Sequence, residues 1–212
     1  NVRASSVPAI DVEENTGGAA CVVLDVDTAE VLACASYPTY DIANYNANYN
    51  QYAADPAEPL LNRALQGLYA PGSTFKMVTA VAGLETGVIE PDTEIEDVGR
   101  YTRWSSPQPM CWIYRERGTT HGWINVSEAI EVSCNYFFYE TGTRQGIDNI
   151  VKYSEQLGLG VESGIELSEA TGHVSSPEYY ESAREGQTDS TWTYGNVLQS
   201  AIGQLDNAYT PL

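Results

Sequence analysis

The first regular pattern along the chain is a pair of near-continuous apolar runs, residues 19–25 and 30–36, on either side of Asp27-Thr28-Ala29. Small and β-branched residues bounded by a turn signal predict a hairpin, and a turn centred on Asp27 and Thr28 places Cys21 opposite Cys34. Apolar character at both alternating sets of positions predicts strands covered on both faces. The two cysteines are then either packed thiols or a cross-strand disulfide. Residues 37–61 hold only short apolar pieces among Tyr, Asn and Pro, and they are expected to be irregular, packed by their tyrosines.

A helix follows over residues 73–86, with Gly87 as its terminator. Its middle, residues 77–84, is apolar on nearly every side, which predicts a buried central helix. Residues 88–122 read as short loops and hairpin pieces. Their neighbourhood carries Tyr101, Trp104, Trp112, Tyr114 and Trp123, which either pin a loop region onto the core or line a groove. A second helix starts near Asn125 or Ser127, with Glu128 in its first turn and Ala129, Ile130 and Val132 inward. Ser133-Cys134-Asn135 then predicts a turn between helices, because Ser and Asn favour caps over helix interiors. A short buried helix over 136–139 and an amphipathic helix over 143–157 come next. Residues 161–191 show little pattern, and residues 194–204 read as a strand or a ligand-facing loop. Helices dominate, and a lone hairpin is marginal on its own, so further strands are expected beyond the 212 residues.

Composition narrows the class. A hydrophobic content of 42% supports a folded chain, and a net charge of -19, from 29 acids and 10 bases, leaves no basic patch for nucleic acid. The four cysteines, at 21, 34, 111 and 134, are too few for a disulfide scaffold and lack the spacing of a zinc site. With His121 and His173 the only histidines, no metal or cofactor is expected. No run of apolar residues is long enough to span a membrane, and no signal peptide is present. The chain starts without Met in residues that read as a linker, 1–18, so upstream sequence is expected to have been removed.

Candidate chemistry centres on Leu68-Tyr-Ala-Pro-Gly-Ser-Thr-Phe-Lys-Met77. Ser73 and Lys76 stand three apart at a helix start and therefore share a face. Serine needs a base to act as a nucleophile. Burial and the helix N-terminus both favour a neutral Lys76 that can accept its proton, and the Ser73 N–H can donate to an oxyanion. The same residues also suit a Ser N-cap and a solvent-facing Lys. Ser133 and Asn135 offer a hydroxyl and an amide, suited either to a proton relay and substrate contact or to helix capping. No Gly-x-Ser-x-Gly elbow is present.

The ordered series of short motifs resembles the transpeptidase domain of the penicillin-binding proteins. It comprises Val23-Leu-Asp25, residues 33–38 ending in Tyr37-Pro38, Asn62-Arg-Ala64, Tyr69-Ala-Pro-Gly-Ser-Thr-Phe-Lys76, His121-Gly122, Ser133-Cys-Asn135, Leu157-Gly-Leu-Gly160, Glu169 with Gly172, Ile202-Gly-Gln204 and Thr210-Pro211. The resemblance is most like the monofunctional high-molecular-weight class (class B) of Gram-positive bacteria. It implies an α+β fold of the penicillin-binding and serine β-lactamase type, a helical part with an incomplete antiparallel sheet. Residues 19–212 would be the N-terminal two-thirds of that domain. It implies Ser73 as acylated nucleophile, Lys76 as base, and Ser133 with Asn135 as relay and substrate-holding wall. The implied reaction is D,D-transpeptidation of peptidoglycan stem peptides ending in D-Ala-D-Ala, with β-lactams acylating Ser73. Implied partners are a membrane glycosyltransferase and the segment or second chain bearing the family's Lys-Thr-Gly motif, which this sequence lacks. The implied location is the extracytoplasmic face of a membrane. A β-lactam-binding sensor and the transpeptidase half of a bifunctional wall synthase are the alternatives. Ala29 departs from the Gly that the family often has in the first hairpin turn.

Overall fold

The computed structural model describes residues 17–188 and 190–212, and these divide into two units, one ending at Gly67 and joined by Thr210–Leu212, the other Leu68–Tyr209. The architecture is α+β, with helices forming the larger core and, among the described residues, two small antiparallel sheets of two strands each.

In the first unit, β1 (Ala19–Leu24) pairs with β2 (Val31–Tyr37). The Asp25 carboxylate closes the turn by accepting from the Asp27 and Thr28 N–H groups, each at 2.9 Å. Ala29 takes a left-handed φ of 60°. The register differs by one residue from the expected one: Cys21 faces Ala35 and Cys34 faces Val22, because a bulge interrupts pairing between Val23 and Leu24. Both cysteines are free and exposed, and so are most of the strand residues, against the expectation of strands covered on both faces. Residues 45–54 are a helix, α1 (Tyr45–Ala54), where an irregular segment was expected. Its tyrosines do pack together, with Tyr45 and Tyr49 edge to face at 5.7 Å between ring centroids. The buried Arg63 guanidinium donates to the carbonyls of Ala57 and Glu58, at 2.7 and 2.9 Å, and so ties that loop together.

The second unit is built on α2 (Lys76–Glu85), α5 (Asn135–Gln156) and α7 (Tyr194–Ser200). Small residues let these helices approach closely. A Cβ at Gly83 of α2 would lie 2.8 Å from the Thr141 methyl of α5, and one at Gly142 of α5 would lie 2.5 Å from the Ala201 Cβ that follows α7. Two hydrogen bonds tie α2 to its neighbours, Thr79 Oγ1 to the carbonyl of Ala201 just after α7 at 2.7 Å and Gln145 Nε2 of α5 to the Thr79 carbonyl at 3.2 Å. Around them lie β3 (Ile95–Asp97) paired with β4 (Gly122–Ile124), α3 (Trp112–Arg117), α4 (Val126–Glu131) and α6 (Pro177–Ala183).

Several expectations are corrected here. The helix expected from Ser73 starts as a 3-10 turn, Gly72–Phe75, and becomes α-helical only at Lys76. The two helices expected over 136–139 and 143–157 run together as α5, interrupted at Gly146, whose φ of 76° and ψ of 167° are accessible to glycine alone at little cost. Residues 194–200 form a helix, not a strand or loop. Thr193 and Asn196 make a reciprocal capping box that satisfies the first N–H groups, and Val197 and Leu198 enter the core. Of the five aromatics, Tyr101 is buried in the core with Trp104 and Trp112 packed against it, whereas Trp123 is exposed.

Candidate active site

Ser73 lies in the 3-10 turn, exposed, and its hydroxyl has no hydrogen-bond partner among the described residues. The turn is pinned from below. Gly72 N–H donates to the Gly203 carbonyl at 3.0 Å, and Phe75 stacks on Tyr209 at 6.1 Å and 5°. Gly203 has a φ of 71°, and a Cβ there would come within 2.1 Å of the Gly72 carbonyl, so only glycine allows this approach.

Lys76, one helical step inward, is 2% exposed. Its ammonium donates to three acceptors: Asn135 Oδ1 at 2.6 Å, the Ser133 carbonyl at 2.9 Å and Ser133 Oγ at 3.0 Å. All three come from the α4–α5 junction, where Ser133 takes a left-handed φ of 52° and Cys134 caps α5. The junction is positioned by the capping box at the other end of α4, in which Asn125 and Glu128 exchange hydrogen bonds at 2.9 and 3.1 Å. Burial brings the Lys76 pKa down from the ordinary 10.5 to about 8. The expected grouping of Lys76, Ser133 and Asn135 is therefore present, with Ser73 three residues from the amine.

Spacing gave no sign of a second cluster nearby. Asp97, Cys111, His121 and Cys134 each bring one donor atom to within 4.8 Å of the others, and all four are largely out of solvent. His121 Nδ1 lies 2.7 Å from Asp97 Oδ2 and 3.6 Å from Cys111 Sγ, and the two sulfurs are 3.7 Å apart. Two thiols, an imidazole and a carboxylate match in number and kind the donors of a tetrahedral zinc site. They are residues that could hold such an ion, a grouping that sequence spacing does not reveal. Four separate segments supply them, so only the pairing of β3 with β4 and the α4–α5 turn reveals the group. The hydrogen bond to Cys111 and burial raise the pKa of Cys134 well above that of a free thiol, so without an ion it packs as a neutral group.

Residues 19–212 match the family described as the penicillin binding protein transpeptidase domain, and the chain belongs to that family. It is 34% identical, over 200 residues, to the peptidoglycan D,D-transpeptidase MrdA of Acinetobacter baumannii, covering 91% of this chain and 29% of that protein. The structure of Pseudomonas aeruginosa PBP2 in complex with WCK 5153 superposes with a TM-score of 0.79 at 30% identity, covering 91% of this chain and 43% of that one. Penicillin-binding protein A of Mycobacterium tuberculosis, solved as a penicillin G acyl-enzyme complex, superposes with a TM-score of 0.73 at 27% identity over 91% of this chain and 43% of that one. The chain thus spans less than half the length of these relatives. The likeness is to PBP2-type, class B proteins of Gram-negative bacteria, with an actinobacterial relative beside them. That corrects the expected affinity to the Gram-positive class. Among the described residues no helix is long and apolar enough to cross a membrane.

Proposed function

We propose that this chain provides the nucleophile, the base and one wall of a peptidoglycan D,D-transpeptidase site. The observation that carries the reading is a buried Lys76 amine, held by Ser133 and Asn135, three residues from an exposed and unpartnered Ser73. Ser73 Oγ attacks the carbonyl carbon of the penultimate D-Ala of a stem peptide, and Lys76 takes the hydroxyl proton. The terminal D-Ala leaves as its amine, with Ser133 passing the proton to it from Lys76. An amine of a second stem peptide then attacks the Ser73 ester, forms the cross-link and restores the hydroxyl. β-Lactams follow the first half of this path and stay attached. The acyl-enzyme in the M. tuberculosis relative and the D,D-transpeptidase name of the A. baumannii relative support both halves. In this reading the family's Lys-Thr-Gly strand supplies the second oxyanion donor, and the protein works outside the membrane beside a glycosyltransferase. The Ser73 N–H is the first donor.

The test uses the full-length protein with a fluorescent penicillin and with a D-Ala-D-Ala donor plus an amine acceptor. Wild type should form a stable adduct and a cross-linked product, and Ser73→Ala should form neither. An adduct that persists in Ser73→Ala removes Ser73 from its role. An adduct without cross-linked product would favour a sensor.

A further inference from the structure

Beside Asn135 a cavity of about 520 Å³ opens, with Arg115, Tyr139, Gln108, Gln199 and Gln204 in its walls. It sits in the same unit as Ser73 and ends at the Gly203-Gln204 segment, which pins the Ser73 turn through the Gly72 N–H. Its lining is polar and contains no Asp or Glu, although the chain carries 29 of them.

Most cations among the described residues are already engaged. Arg63, Arg103, Arg144 and Arg184 each pair with a carboxylate. Arg100 donates to the Met110 sulfur, and Lys152 lies over the Tyr153 ring. The guanidinium groups of Arg115 and Arg117 have no hydrogen bond or ion pair among the described residues, and of the two only Arg115 lines this cavity, which also contains a residue contacting the Lys76 amine. The charge of Arg115 reaches the site, since it opposes the burial that raises the pKa of Tyr139, which lines the cavity together with Asn135. A guanidinium is a planar fork suited to a carboxylate, and nearby glutamine amides can serve peptide N–H and C=O groups.

We propose that Arg115 holds a carboxylate of the acyl-donor stem peptide, on the side N-terminal to the scissile D-Ala-D-Ala bond. This rests on the transpeptidase reading above and adds to it the substrate feature that the site selects. Such peptides carry a carboxylate there from two sources, the third residue when it is a diaminopimelate, or the α-carboxylate of a γ-linked D-Glu. Either would meet Arg115 as a charge-assisted pair, favouring acidic donors over their amides despite the negative charge of the protein.

The experiment uses the full-length enzyme and four synthetic pentapeptide donors: fully acidic, amidated at the third residue, amidated at D-Glu, and amidated at both. Wild type should prefer the acidic donor, with the difference in KM. Arg115→Gln should raise that KM about tenfold or more, as expected for losing a charge-assisted bond, and should bring all four donors level. Arg115→Lys should recover part of the preference. Whichever single amidation reproduces the loss in wild type identifies the source. Acylation by penicillin G, which has no group at that position, should proceed at the wild-type rate in Arg115→Gln and so also shows that the variant is folded. An equal loss on all four donors, no loss on any, or slowed penicillin acylation would overturn the proposal. Failure of wild type to form the penicillin adduct would overturn the transpeptidase reading and this proposal with it, whereas a normal adduct with an indifferent Arg115 removes this proposal alone.

Discussion

Ser133 has a backbone conformation that non-glycine residues adopt at a cost of about 1–3 kcal/mol, and it does so where its carbonyl and hydroxyl both reach the Lys76 amine. The strain is borne for the sake of that geometry. Ser133→Gly should therefore separate stability from reactivity: urea unfolding should show the variant at least as stable as wild type, while acylation by penicillin slows by about a hundredfold or more, the usual worth of a proton-transfer partner. Lys76 gives a second residue-level expectation. Burial lowers its pKa to about 8, so the amine gains its neutral, proton-accepting form as the pH rises through that value. Penicillin acylation of the full-length protein should climb from pH 6 to 9 with a midpoint near 8 and then level off. A rate that is flat across this window, or that falls, would remove Lys76 as the base.

At the scale of elements, what the chain made legible were its junctions. Asn125 and Glu128 announced the start of α4, and Ser133-Cys134-Asn135 announced the turn into α5, because capping chemistry is local and is written in a few adjacent residues. The functional grouping followed from the same junctions. Asn125→Ala should cost about 1 kcal/mol, as loss of a cap does, read as a lowered urea midpoint with an unchanged slope. What stayed hidden depended on partners far along the chain. The helix α7 read as a strand or a ligand-facing loop because Val197, Leu198 and the glycines around them carry no helical face until α5 is packed against them. Gly146 interrupts α5 where the pattern had suggested a break several residues earlier, since polar residues 140–145 belong to the helix through contacts such as Tyr101 with Glu140 and Gln145 with Thr79. The four-donor group around Cys111 was invisible for the same reason: no two of its members lie within a motif's length of each other.

At the scale of the molecule, the four cysteines divide into two kinds. Cys21 and Cys34 are free and exposed, Cys111 and Cys134 free and buried. A thiol reagent should modify two equivalents promptly in the native protein and the other two only on unfolding, and prompt reaction of all four would contradict the packing of the second unit. The reach of the Lys76 contacts has a consequence in time. Its acceptors lie 57 and 59 residues further along the chain. A growing polypeptide therefore exposes the lysine, fully protonated and solvated, well before the residues that take it out of water have been made, and long-range closures of this kind come late in folding. In the proposed role, the amine becomes a base only when the α4–α5 turn closes over it. Drug reactivity would then be gained in one step at the end of folding, making penicillin labelling a direct count of finished molecules in a population still being synthesised or refolded.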